Sequence, residues 1–99
     1  MSMRNDNISV DERRLAIHQR HNCHAGEVLQ IARVAIARRN TAEWRGEVHV
    51  FAISGNPKAS ECSAWPELVD ERTVIIHTVL HCGRVHTPEE AVRSVLNRR

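Results

Sequence analysis

Apolar residues fall along the chain in blocks whose spacing assigns the elements. Ser9-Val10-Asp11-Glu12 sets a serine and a glutamate three apart, so that each side chain can take the other's free backbone N–H at a helix start. A first helix from Val10 to about His21 is predicted. Asn22-Cys23-His24-Ala25-Gly26 interrupts the segment with a helix-stopping glycine. Ile17, His21, His24, Val28, Ile31 and Ala35 nevertheless keep helical spacing straight through it. Residues 10–39 therefore read either as one long helix or as two. From Glu27 to Arg39, the run Val28, Leu29, Ile31, Ala32, Val34, Ala35 and Ile36 leaves only Gln30, Arg33 and the ends for water. A helix here is expected at the centre of the core. Arg38 and Arg39 suit its negative end, and Asn40-Thr41 offers a stop.

Three β-branched or alternating stretches follow, Val48 to Ser54, Ser60 to Trp65 and Thr73 to Cys82. Gly55-Asn56-Pro57 and Pro66-Glu67-Leu68-Val69-Asp70 separate them with turn chemistry, and connections this short make successive strands antiparallel neighbours. At Thr87-Pro88-Glu89-Glu90 threonine caps, proline takes the first helical position and Glu90 completes a capping box. Ala91, Val92, Val95 and Leu96 give the last helix its apolar face. The expectation is an α+β fold: N-terminal helix or helices, a three-stranded antiparallel sheet and a C-terminal helix, in α-β-β-β-α order. Residues 1–8 are polar and expected to be loosely held, with a single domain over 9–99.

Both faces of that sheet read as apolar. Val48, Val50 and Ala52 point one way along the first strand, and His49, Phe51 and Ile53 the other. In the third strand Val74, Ile76, Leu80 and Cys82 alternate with Ile75, His77, Val79 and His81. If the helices cover the histidine-free side, the other side needs cover of its own, because each large residue left in water forgoes about 1.5–3 kcal/mol. Two covers are open, the N-terminal helix folded back or a second copy about a two-fold axis. A homodimer interface is accordingly expected from His49, Phe51, Ile53, Trp65, Ile75, His77 and Val79.

Composition narrows the partners. Fourteen basic against twelve acidic side chains leave a formal charge of +2, too little for a dense basic stripe. All the basic residues but Lys58 are arginines. Cys23, Cys62 and Cys82 are odd in number and widely spaced, as reduced thiols are. The polar opening from Met1 to Ser9 lacks the apolar block of a secretory signal, and no run approaches the ~20 apolar residues that span a bilayer. A cytoplasmic protein without a membrane partner is expected.

The seven histidines raise the question of a metal. His18, His21 and His24 stand at helical spacing beside Cys23, and His49, His77 and His81 lie on strands. These six are candidate ligands, although their spacings match no zinc signature, and histidines at such positions also serve as neutral packing residues. His81-Cys82 and Cys23-His24 are neighbours in sequence, but consecutive side chains of a strand point to opposite faces, so His81 is badly placed to deprotonate Cys82. No catalytic residue and no cofactor are assigned. The element order is also that of double-stranded-RNA-binding domains. Their last helix opens on a basic cluster, whereas Pro88-Glu89-Glu90 would repel phosphate, and a single phenylalanine with no tyrosine offers no stacking platform.

Gly55-Asn56-Pro57-Lys58-Ala59, Cys62, Ala64-Trp65, Val79-Leu80, Thr87-Pro88 and Ala91-Val92-Arg93 together resemble a pattern in small uncharacterised bacterial proteins, some carried on mobile elements such as integron gene cassettes. The resemblance covers about the last half of the chain and departs at Ser63, where an aromatic would stand. It implies a fold and a bacterial origin but no activity. The expected function is a non-enzymatic homodimeric module that binds another protein or a small ligand. Nucleic-acid binding and metal binding through the histidines are the alternatives.

Overall fold

The computed structural model describes residues 9–38 and 41–98. Expectations for residues 1–8, Arg39, Asn40 and Arg99 lie outside the described residues. The elements are α1 (Val10–His21), β1 (His24–Arg38), β2 (Thr41–Ser54), β3 (Glu61–Leu68), β4 (Val74–Leu80) and α2 (Pro88–Leu96). The fold is α+β, with one antiparallel sheet in the order β1-β2-β3-β4. It has four strands rather than three.

Both helices start as their sequences dictate. Glu12 N–H donates to Ser9 Oγ and Ser9 N–H to the Glu12 carboxylate, each at 3.1 Å. Thr87 and Glu90 repeat the exchange, also at 3.1 Å each way, with Pro88 opening α2. Asn22 closes α1 at φ 53°, a left-handed conformation that asparagine tolerates better than most residues.

Residues 24–38 form β1 and not the helix that their spacing predicts. From Ile31 to Ile36 the strand alternates: Ala32 is half-buried and Val34 and Ile36 are buried, while Ile31, Arg33 and Ala35 are exposed. Before that point β1 carries one extra residue against β2 between Ala25 and Val28 and another between Val28 and Gln30. A bulge of this kind turns the two-residue period of a strand into a spacing of three. That spacing, followed by alanines at 32, 35 and 37, imitates a helix.

Directly opposed residues of an antiparallel ladder share a face, so the register sorts the sheet. Phe51 opposes Cys62 and Cys62 opposes Leu80, while His49 opposes Ala64 and Ala64 opposes Thr78. On the reverse side Val50 opposes Ser63, Ser63 opposes Val79 and Trp65 opposes His77. Helix α1 packs on the first side, where Ile17 meets Cys23, Ala25, Phe51, Ile53, Cys62 and Ala64. Helix α2 packs on the second, where Ala91, Val92 and Leu96 meet Val34, Ile36, Val48 and Trp65. The helices take one side each, so neither side of the sheet is left wholly to water.

Candidate functional site

The seven residues expected at a dimer interface do not share a face. His49, Phe51 and Ile53 lie beneath α1, whereas Trp65, Ile75, His77 and Val79 belong to the α2 side. Phe51 is 0 % exposed and Trp65 1 %, so this set offers a second copy little to cover. The sequence reading paired the histidine sides of the two strands with each other. The β2-β3-β4 register puts them on opposite sides.

The candidate metal ligands are dispersed in the same way. His18 and His24 are exposed, with His18 Nδ1 3.2 Å from the Cys23 carbonyl. His21 Nε2 lies 2.9 Å from Thr78 Oγ1, tying the end of α1 to β4. His49 is buried under α1, and its Nδ1 has no hydrogen-bond partner. His77 Nε2 meets the Glu67 carboxylate at 2.7 Å with its ring 5.4 Å from that of Trp65. Among the described residues no three His, Cys, Asp or Glu side chains converge to hold a metal. The six candidate ligands are not brought together there.

His81 enters a network that spacing did not show. Its Nε2 lies 2.6 Å from Ser63 Oγ, and its Nδ1 lies 3.6 Å from the Glu61 carboxylate. A serine, an imidazole and a carboxylate in line have the order of a nucleophile, its base and the group that orients the base. Ser63, however, is 0 % exposed, so its hydroxyl meets no substrate in this conformation. The 210 Å³ hollow beside the network is lined by Ser60, Glu61, His81 and His86, and Ser63 is not part of its lining. The network fastens the segment after β4 to β3, together with the bond from His81 N–H to the Glu61 carbonyl at 2.9 Å. Burial holds the His81 ring below its ordinary range against the pull of Glu61.

The thiols are as quiet. Burial pushes Cys62 up to about 12 and raises Cys23 as well, so neither supplies a thiolate at neutral pH. Arg13, on the face of α1 turned to the sheet, is almost fully buried. One Nη donates to the Ala64 carbonyl at 3.1 Å, while Nε is unpaired. Desolvation lowers its pKa, opposed by Glu47.

The surface that stands out is the free edge of β1. This outermost strand is fifteen residues long and pairs on one side only, with β2. Leu29 and Ile31 stand on it 48 % and 58 % exposed. The run from Val28 to Ala32 carries no charge, and neither lysine nor proline interrupts the strand. Those are two of the means by which proteins blunt an edge; a third, the bulge, is present between Ala25 and Gln30, so the regular open edge runs from Gln30 onward. A 460 Å³ groove lined by Arg33, Val34, Ala35, Arg45, Gly46 and Glu47 continues from it across the β1-β2 hairpin. The sequence signal was present in the alternation of Ile31, Arg33 and Ala35 with Ala32, Val34 and Ile36, but the helical reading masked it.

No family model, curated protein or solved structure matches the chain. No helix among the described residues is long and apolar enough to cross a membrane.

Proposed function

We propose that the protein is a non-enzymatic interaction module that takes up a strand of another polypeptide along the outer edge of β1. The observation that carries this reading is the pair Leu29 and Ile31, half in water on a strand whose outer backbone groups no other strand pairs. An edge of this kind is a template for strand addition: main-chain hydrogen bonds supply affinity, and alternate side chains supply selectivity. Three free thiols, two of them buried, suit a reducing cytoplasm. The resemblance at residues 55–93 is compatible with a small bacterial accessory protein of this kind. The buried Ser63-His81 pair and the high Cys62 pKa weigh against an enzyme.

A photo-crosslinking side chain placed at Ile31 tests the reading, with the same group at Leu68 as control. Leu68 is similarly exposed, at 46 %, but lies on β3. Irradiation of cells expressing each variant is expected to give a discrete adduct from position 31 and none from 68. Equal labelling at both positions, or none at 31, contradicts the proposal.

A further inference from the structure

We infer that the strand taken up at the β1 edge is acidic, and that one of its carboxylates enters the groove over Ala35, between Arg33 and Arg45. The inference rests on the edge reading above and names the chemistry of its partner.

From Gln30 to Ile36 the ladder with β2 runs without a shift, so register fixes the faces of this stretch. Ile31, Arg33 and Ala35 stand opposite His49, Glu47 and Arg45, which places all six on the side of the sheet that carries α1. The helix leaves this part of the hairpin uncovered: Ile31, Arg33, Ala35, Arg45 and Glu47 are exposed. Ala35 is the smallest of them. Its methyl group leaves the 460 Å³ groove open toward the β1 edge, with Arg33 two residues back on the same strand and Arg45 directly across on β2. Val34 and Gly46 turn their Cα substituents to the other face and contribute backbone to the floor.

The groove carries a surplus of positive charge. Glu47 is the acidic group of its lining, and two cations already answer it: Arg33 at 3.6 Å, and the buried Arg13, whose charged form it favours. The Arg33 side chain is 88 % exposed, and an ion pair so long and so wet holds it only weakly. Its guanidinium is therefore available to a new carboxylate, which its planar fork suits. A charge on an edge strand deters most strands from pairing there; a positive one admits an acidic strand in preference to a neutral or basic one. Ile31 adds a second condition, an apolar residue across from it. The partner's apolar residue facing Ile31 and its acidic residue facing Ala35 are then four apart, on one face of the added strand.

The test is fluorescence anisotropy on the purified chain with a labelled nine-residue peptide. One face of the peptide carries glutamate, threonine, isoleucine, threonine and glutamate, with valines between, so it can dock in either direction. Two companions replace both glutamates by glutamine or by lysine. The glutamate peptide is expected to bind about tenfold more tightly than the lysine peptide, with the glutamine peptide between them and the spread narrowed by added salt. Arg33→Gln and Arg45→Gln should each reduce the spread, and Arg33→Glu combined with Arg45→Glu should reverse the order. Circular dichroism on every variant separates a changed groove from a lost fold. Three peptides that bind alike, a preference for lysine, or an order unmoved by the double variant overturns the inference. Displacement of the glutamate peptide by an equal concentration of free glutarate also overturns it, because a small carboxylate would then suffice. If the peptides bind alike while the Ile31 crosslinker still gives its discrete adduct, the acidic partner is excluded and the edge reading survives.

Discussion

Three of the seven histidines are held in the neutral form by where the fold puts them. Burial lowers the pKa of His21, His49 and His81, with Arg20 adding to the effect at His21 and Arg13 at His49. The unfolded chain takes up protons at these positions below pH about 6.5, and the folded chain does so only at lower pH. The stability they contribute is complete above that value and is lost as pH falls through it toward the folded pKa values. Urea midpoints measured at pH 7.5, 6.5 and 5.5 should therefore decline in that order. His49→Leu should decline less steeply, because it removes one proton-binding site whose Nδ1 is unpaired in the fold. A midpoint independent of pH over this range would show that the three rings are not buried as described.

At the scale of elements, local chemistry decided the helices and failed for β1. Both capping boxes were legible because they depend on residues three apart, which no tertiary contact needs to arrange. Thr87→Ala should cost about 1 kcal/mol, since it leaves an N–H of the first turn of α2 without its acceptor. In a domain of this size that is a fall of roughly 4–8 °C in Tm by calorimetry, and an unchanged Tm would mean that α2 is held by packing alone. Strands β2, β3 and β4 were legible from their β-branched residues, but β2 begins seven residues earlier than its apolar run, at Thr41, and β3 runs on through Pro66, Glu67 and Leu68, the first three residues of the expected turn. Strand β1 was not legible, because two extra residues among positions 26–29 shifted its phase and alanines at 32, 35 and 37 suit a helix as well as a strand. Face assignment failed for a related reason. Alternation within one strand says which residues share a side, but only the register between strands says which sides coincide, and His49 and His77 fell on opposite ones.

Across the whole molecule, α1 and α2 cover opposite faces of the sheet at different places. Helix α1 lies over Phe51, Ile53 and Cys62, and α2 lies over Val34, Ile36 and Val48, nearer the β1-β2 hairpin. Among the described residues the outer edges of β1 and β4 remain bare rather than a face, and β1, at fifteen residues against seven, is the longer, so a partner meets the protein by extending the sheet rather than by capping it. Amide hydrogen exchange of the purified chain, with and without an extract of the cells that express it, tests this most directly. With the extract, segment 27–35 is expected to gain protection while β3 and α2 stay unchanged. Exchange in that segment that is indifferent to the extract, or protection that grows instead along β4, would contradict the account.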